Sequence, residues 1–451
     1  MLNRLSDNTN LTFLTLLVFL LVALSRLYYV EHFAVPLPYW DQWDAEGDFL
    51  LRPWIQGTLK LSDLWQPHNE HRIFPTRVLS LVIFEITGSW NNLTEARLNI
   101  LLAAAIPASL VWLLHRHGAL FGKRYFLLIV IIAQFALPFS FENLLIGFQS
   151  QFYFLILFTV TSISLATFHP RSIFSIVAIL ILSVVSVLTM ASGLLTPLAV
   201  ALVYLLNWYL NKTNSLPNTL IINALLIVIA ASGYLLLPQI AANQVYRASN
   251  LSELSSAVGY ILSWPIIGSP LPAIVLWLPA VIVIPMLTFY KKLNRIDLLM
   301  AGCFVWSLSQ ALAIGYGRGQ ELTEVASRYT ELFSLGLIGN AWFVIRAIET
   351  LSNRWFQILL PIFFAIFLDG HMTHYSYDMH DIRRNYRLSL IQTANVSKYL
   401  KTNNKSYLQQ PKWQIPYPDP VRLQQLLDNP TLREILPPSI VQKQKSGVRV
   451  N

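Results

Sequence analysis

Long apolar runs alternate with short polar segments along this chain. A transmembrane helix needs about 20 mostly apolar residues, and about 17 are enough. The pattern therefore predicts eleven membrane-spanning helices, over residues 10–30, 97–115, 125–141, 151–168, 172–190, 193–210, 219–238, 271–290, 296–315, 331–347 and 355–370. No small-residue cleavage site follows the first run, so it predicts a retained anchor and not a removed signal peptide.

Two further apolar stretches, 77–86 and 258–267, are short and lie next to or contain a proline. Stretches of 10–14 residues more often lie at the membrane interface than cross it. If neither stretch is counted as a span, most lysines and arginines of the loops lie on one side of the bilayer, as the positive-inside rule requires. That choice places the first loop, 31–96, and the tail, 371–451, on the extracytoplasmic face. Arg383, Arg384 and Arg387, soon after the last run, favour the opposite side for the tail.

The composition supports a membrane protein. Only 12% of the 451 residues are charged and 55% are hydrophobic, about half the charge of an ordinary soluble protein. A soluble enzyme, a nucleic-acid-binding protein and a disordered scaffold are all excluded by so few charges. The single cysteine, Cys303, excludes an intramolecular disulfide and a thiolate-rich metal site. We predict an all-α integral membrane protein, with a polytopic domain over 1–370 and a small extracytoplasmic tail over 371–451.

The first outer loop begins with four carboxylates within eight residues, set among tryptophans: Asp41, Asp44, Glu46 and Asp48. On an α-helix, Asp41, Asp44 and Asp48 would share one face. Carboxylates on a shared face either bind a cation or raise the pKa of one member toward that of a general base. The alternative is a solvated loop with interfacial aromatic residues.

The same loop continues with five consecutive polar residues, His68-Asn69-Glu70-His71-Arg72. Two histidines in a His-x-x-His spacing are a weak metal signal when no further ligands are fixed. An acid, base or sugar-binding role is favoured over a transition-metal site, and simple interfacial polarity is the remaining alternative. A divalent cation is possible but not favoured, so the sequence predicts no cofactor.

Two later outer loops carry further polar side chains. Glu142 and Gln149 flank the turn between the third and fourth spans, where they either line a wet cavity or cap the helices. Arg318 and Arg328 lie in a glycine-containing loop, and Tyr329 follows. The planar guanidinium suits a phosphate, so these three residues are candidates for binding a lipid phosphate. The alternative is that the arginines form salt bridges with Glu321 or Glu324.

This layout resembles the C-type (GT-C) superfamily of polytopic glycosyltransferases, which use sugars carried on polyprenyl phosphate. In that superfamily an essential aspartate follows the first span, at the position of Asp41 and Asp44. Interfacial helices then precede the second span, at 54–64 and 75–88. Segment 97–124 is similar to the second span and its basic exit in lipid-A- and protein-modifying members. Segments 142–149 and 327–329 resemble a group of bacterial membrane proteins of the superfamily.

The resemblance implies a glycosyltransferase of the plasma (inner) membrane with its active site on the extracytoplasmic face. A sugar would pass from a polyprenyl-phosphate donor to a glycan or lipid acceptor of the cell envelope. Asp41, or else Asp44, would be the general base, and Arg318 and Arg328 would stabilise the leaving phosphate. The polar loop His68–Arg72 with Glu142 and Gln149 would bind the sugars. The chain lacks a large outer domain and a Trp-Trp-Asp motif, so a protein asparagine is not the implied acceptor.

Two other functions remain open at this point. A transporter or flippase of lipid-linked glycans predicts charged residues near the bilayer midplane, and the chain shows no internal repeat of the kind many transporters have. A polymerase or ligase of surface polysaccharide would also use outer arginines with a lipid carrier. The clustering of polar residues in the predicted outer loops favours an enzyme that works on one face.

Overall fold

A computed structural model of the chain describes residues 2–212, 215–266, 271–320, 322, 324–350 and 355–441. Within these residues the structure is helical and has no β-strand; an isolated bridge joins His68 to His71. This confirms the predicted all-α class.

The helices follow one another with short connections. The first nine are α1 Leu2–Phe33, α2 Arg52–Ile55, α3 Phe74–Thr87, α4 Asn92–Arg116, α5 Phe126–Ala136, α6 Phe141–Leu145, α7 Ser150–Phe168, α8 Ile173–Val187 and α9 Leu195–Asn211. The others are α10 Leu216–Leu235, α11 Ala241–Gln244, α12 Leu251–Ser263, α13 Leu271–Phe289, α14 Arg295–Arg318, α15 Thr330–Thr350, α16 Trp355–Thr402, α17 Pro420–Asp428, α18 Pro430–Ile435 and α19 Pro438–Val441. A π-helix covers Gln42–Leu51.

Eight of the described helices, α1, α4, α7, α9, α10, α14, α15 and α16, have the length and apolar composition to cross a membrane. The protein is therefore a multi-pass α-helical membrane protein. The other three predicted spans coincide with the shorter helices α5, α8 and α13. Helix α5 ends early because Pro138 holds Leu137 in an extended conformation, and α13 contains Pro279 and Pro285. The figure of eleven crossings thus stays a prediction.

Polar residues mark where several of these helices begin. The Asn91 side chain accepts hydrogen bonds from the backbone N–H groups of Leu93 and Thr94 at the start of α4. Asn294 and Asp297 form a reciprocal capping box at the start of α14. Such side chains satisfy backbone donors that have no partner within the helix. The helices therefore begin directly after them.

Helix α15 forms the centre of the bundle. Almost all of its residues are buried, and α7, α13, α14 and α16 pack around it. Its second residue, Glu331, forms an ion pair with Arg26 of α1, and both side chains are 2% exposed or less. Arg26 also donates to the Phe135 carbonyl of α5 and to the Tyr153 hydroxyl of α7. One buried guanidinium therefore joins four helices.

The first loop and the C-terminal segment form one layer on the same side of the bundle. Leu37, Trp43 and Leu50 of the loop share a buried cluster with Leu423, Leu427 and Leu432 of the tail. The backbone N–H of Trp90, in the first loop, donates to the Ile435 carbonyl of the tail at 2.8 Å. The tail therefore lies on the same face as the first loop, whichever face of the membrane that is.

Two of the predicted boundaries differ from the ends of the helices. Residue 370 lies within α16, which continues without a break to Thr402, so the tail begins as an extension of the last apolar helix. Residues 54–64 do not form a continuous interfacial helix, because α2 ends at Ile55 and a 3-10 turn covers Leu61–Trp65. The 75–88 prediction agrees with α3, which ends at Gly88 in a left-handed conformation.

The ion pair in the bundle core predicts a large loss of stability when one partner is neutralised. Glu331→Gln leaves the Arg26 charge buried without a counter-ion, which should cost about 3–5 kcal/mol. We expect a clear drop in the apparent melting temperature of the purified protein. The double variant Arg26→Met/Glu331→Met removes both charges and should recover much of that loss; a double variant as unstable as Glu331→Gln would contradict the assignment.

Candidate functional site

A polar cavity of about 390 Å³ opens between the first loop, the α6–α7 segment and the α14–α15 loop. We call it the polar cavity. Nine of the eleven residues that the sequence predicts for the site line it: Asp41, His68, Glu70, His71, Glu142, Gln149, Arg318, Arg328 and Tyr329. These residues come from four separate parts of the chain, so the fold brings together clusters that the sequence could only present one by one. Asp44 and Arg72 are not among the residues that line it.

The π-helix explains why Asp41 and Asp44 separate. A π-helix closes i→i+5 hydrogen bonds, so side chains four apart lie nearly above one another, whereas side chains three apart diverge. Asp44 and Asp48 consequently point the same way and both accept from Arg422 of the tail, at 2.9 and 2.6 Å. Asp44 also accepts a hydrogen bond from the Tyr417 hydroxyl. The expected common face of three aspartates is wrong, and Asp44 joins the loop to the tail.

Asp41 stands alone at the start of the π-helix, facing the polar cavity. Trp40 before it adopts a left-handed conformation with φ 53° and donates its backbone N–H to the Pro416 carbonyl at 2.8 Å. The Asp41 side chain is 45% exposed, and its carboxylate lies 3.6 Å from Nε2 of His68. It is thus a carboxylate accessible to a bound molecule, next to a histidine.

The fourth carboxylate of this cluster is buried beneath the loop. Glu46 accepts hydrogen bonds from Ser80 of α3, from the Trp90 indole at 2.9 Å and from Gln42 at 3.0 Å. Burial raises the pKa of Glu46. Because all these partners belong to the loop and α3, Glu46 fixes the shape of the first loop and does not reach the cavity.

The polar loop residues are held by a tight backbone turn. His68 and His71 exchange both backbone hydrogen bonds, at 2.7 and 3.0 Å, around Asn69 in a left-handed conformation. Ile73 is also left-handed, with φ 46°, which is unfavourable for a β-branched residue. Its N–H is held by the Thr189 carbonyl at 3.1 Å. Strained residues of this kind are concentrated at functional sites.

His71 is neutral in this turn. Its Nδ1 accepts a hydrogen bond from the backbone N–H of Ala191 at 3.1 Å, so its Nε2 carries the proton. Burial, with smaller contributions from the neighbouring His68, Arg318 and Arg328, lowers the pKa of His71 to about 4. His71 is therefore a hydrogen-bond donor on the cavity wall at neutral pH.

The two arginines of the cavity are paired with glutamates other than those expected. Arg318 binds Glu70 at 2.9 Å and Arg328 binds Glu142 at 3.1 Å. Glu324 instead accepts from the Tyr377 hydroxyl, and Glu321 lies outside the described residues. The Arg318 side chain is 31% exposed and the Arg328 side chain is 40% exposed. Since a guanidinium has five N–H donors, each arginine can hold its glutamate and a phosphate oxygen together.

Asn143 connects the cavity to the core of the bundle. Its amide donates to the Arg328 carbonyl at 2.8 Å and to the second oxygen of Glu331 at 3.1 Å. The position of Arg328 thus depends on the buried ion pair between Arg26 and Glu331.

Gly147 positions the part of the cavity wall that Phe148 and Gln149 form, because it is packed tightly against α4. Asn92 accepts from its N–H at 2.8 Å and Asn99 donates to its carbonyl at 2.6 Å. A Cβ at this position would lie 2.3 Å from Glu95. Only glycine fits here, and this packing directs the next residues, Phe148 and Gln149, toward the cavity.

Arg72 and the aromatic residues of the site correct the sequence-based picture. Arg72 donates to the carbonyls of Trp65 and Leu236, both at 2.9 Å, so it ties the loop to the end of α10. Tyr39, Trp40, Phe148 and Phe152 line the cavity and were missed. The clustering of aromatic residues around the acidic segment at 39–48 was a signal for the first two.

Among the described residues, no three histidine, cysteine, aspartate or glutamate side chains are grouped to hold a metal ion. Independence of metal ions therefore stays a prediction. Comparison with protein-family models and with curated proteins finds no match for this chain.

The neutral state of His71 predicts a loss of stability in acid. The unfolded imidazole binds a proton near pH 6.5, whereas the folded one resists protonation until about pH 4. The unfolded state therefore binds more protons between these values, and the free energy of unfolding falls as pH drops through them. The loss should be on the order of 1–3 kcal/mol.

The variant His71→Asn tests this, because an amide oxygen can accept from Ala191 without titrating. Melting temperatures measured at pH 7 and pH 4.5 should differ less in His71→Asn than in the wild type. His32→Asn, which changes an exposed histidine of α1, is the matched control and should keep the wild-type difference. An equal difference in all three proteins would contradict the role of His71.

Proposed function

We propose that this protein is a membrane glycosyltransferase that moves a sugar from a polyprenyl-phosphate donor to a hydroxyl of a cell-envelope glycan or lipid. The face that carries the first loop would be the extracytoplasmic face of the plasma membrane. The observation that carries the proposal is the convergence of an accessible carboxylate, Asp41, with two partly exposed arginines, Arg318 and Arg328, in one cavity. The proposed reaction requires no metal or cofactor.

Asp41 is the general base of the proposed reaction. Its carboxylate accepts the proton of the acceptor hydroxyl, and the oxygen attacks the anomeric carbon of the sugar. A base must lie within hydrogen-bond reach of the proton that it takes, and the 45% exposure of Asp41 allows that approach. His68 lies 3.6 Å away, beyond hydrogen-bond distance, and forms the cavity wall beside the carboxylate.

The arginines stabilise the leaving group. As the new carbon–oxygen bond forms, the bond from the anomeric carbon to the phosphate oxygen breaks, and polyprenyl phosphate departs with the electron pair. Negative charge grows on that phosphate, and preorganised cationic donors lower the barrier most where charge develops. Arg318 and Arg328 fill this role. Glu70, His71, Glu142 and Gln149 offer the acceptors and donors that sugar hydroxyls need.

The distribution of buried charges favours this function over a transporter. The ion pair Arg26–Glu331 lies near the end of the bundle that carries the polar cavity, and the pair Asp297–Arg346 lies near the opposite end. Alternating-access transporters place their binding groups near the midplane. The described ion pairs leave that central region free of paired charges.

Two single aspartate variants test the role of Asp41. Asp41→Asn removes the base and should lower sugar transfer by at least about 100-fold, with normal expression and melting temperature. Asp44→Asn is the matched control. It removes one of the two carboxylates that bind Arg422, outside the cavity, and this variant should keep most of the activity. Transfer is measured in native membranes from labelled polyprenyl-phosphate sugars. Full activity in Asp41→Asn, or equal loss in both, would overturn the assignment.

A further inference from the structure

A second cavity of about 360 Å³ lies beside the polar cavity. We call it the aromatic cleft. Its walls come from the end of α1, from α6, from the extension of α16 and from the C-terminal segment. Tyr39, Trp40, Glu142 and Ile146 line both cavities, so the two spaces meet at a common wall. The cleft contains none of the site residues expected from the sequence except Glu142.

The chemistry of the aromatic cleft differs from that of its neighbour. Trp40 and Trp413 are 43% and 51% exposed, and Tyr386 is a further aromatic residue of the lining. Asn385 and Ser389, one turn apart on α16, supply neutral polar groups. Glu142 of the common wall is already paired with Arg328. The cleft thus offers aromatic faces with neutral hydrogen-bonding groups, where the polar cavity offers arginines.

We infer that the aromatic cleft binds a saccharide and that, if the proposed function holds, this saccharide is the acceptor. A sugar ring has an apolar face of C–H groups that packs on an indole, and hydroxyls at its edge that bond to amides and hydroxyls. The cleft presents both. A donor phosphate would find two arginines in the polar cavity, whereas Lys412 is the one basic residue among the described residues that line the cleft.

The common wall explains how the two molecules meet. Trp40 lines both cavities and is followed directly by Asp41, which faces the polar cavity. A sugar stacked in the cleft on Trp40 extends a hydroxyl past the shared residues to the Asp41 carboxylate, where the anomeric carbon of a donor in the polar cavity lies within its reach. Two adjoining sites of unlike chemistry are what a transferase with a charged donor and a neutral acceptor requires.

The inference also gives the C-terminal segment a function. Trp413 is held in place by its backbone, because Gln392 of α16 donates to its carbonyl at 3.0 Å and Asn395 donates to the next carbonyl, Gln414, also at 3.0 Å. The Pro416 carbonyl then accepts from Trp40. These contacts place the Trp413 and Trp40 rings in one cleft and leave the Trp413 ring itself free to receive a ligand.

Saturation-transfer NMR tests the inference on the full-length protein in nanodiscs that contain no glycoside detergent. The probes are methyl α-D-glucopyranoside, methyl α-D-mannopyranoside and methyl β-D-galactopyranoside. At least one should receive saturation from the wild type, and Trp413→Ala should weaken its binding roughly tenfold. The backbone contacts of residue 413 are kept in this variant. Trp112→Ala, which removes a similarly exposed indole from α4, 43% exposed, should bind as the wild type does.

A second variant separates this inference from the proposed function. Ser389→Trp fills the cleft from α16 and should abolish the saccharide signal, while polyprenyl phosphate or its sugar adduct still co-purifies with the protein in native mass spectrometry. Loss of the lipid in Ser389→Trp would show that the cleft belongs to the donor and would overturn the inference. The inference would also be overturned if the saccharide signal were unchanged in Trp413→Ala and Ser389→Trp, or if the wild type gave no saccharide signal. Saccharide binding without any co-purified lipid would contradict the proposed function alone.

Discussion

The buried ion pair between Arg26 and Glu331 is the interaction on which the candidate site depends. It lies among α1, α5, α7 and α15, and both side chains are almost fully withdrawn from solvent. Through Asn143 the same glutamate holds the backbone of Arg328. A buried charge is tolerated only when it is paired and hydrogen-bonded, so this arrangement has few alternatives. The rigid core of the bundle thereby fixes the arginine that faces the polar cavity.

The acidic segment of the first loop shows how local backbone geometry divides similar residues among different tasks. In the π-helix, Asp44 and Asp48 turn toward Arg422, Glu46 turns inward to Ser80 and Trp90, and Asp41 is left facing the cavity. Three of the four carboxylates thus shape the loop and dock the tail. The remaining one is the accessible candidate for chemistry.

Much of this could be predicted from the sequence. Apolar runs predicted the helices because a bilayer leaves the backbone few alternatives to intrahelical hydrogen bonds. Polar clusters predicted nine of the cavity residues because charges near a membrane are costly and collect where they are used. The roles of Asp44 and Arg72 could not be predicted, since a π-helix has no recognisable sequence pattern and their partners, Arg422 and the Leu236 carbonyl, are more than 100 residues away. The aromatic cleft could not be predicted for the same reason, because part of its lining comes from the distant tail.

Native mass spectrometry of the lipids bound to wild type and to Arg328→Ala tests the central claim most directly. It needs no knowledge of the sugar or the acceptor. If the polar cavity binds a lipid phosphate, the wild type should carry a polyprenyl phosphate or its sugar adduct, and Arg328→Ala should lose it while keeping its bulk phospholipids. Bulk phospholipids alone in both proteins would contradict the claim.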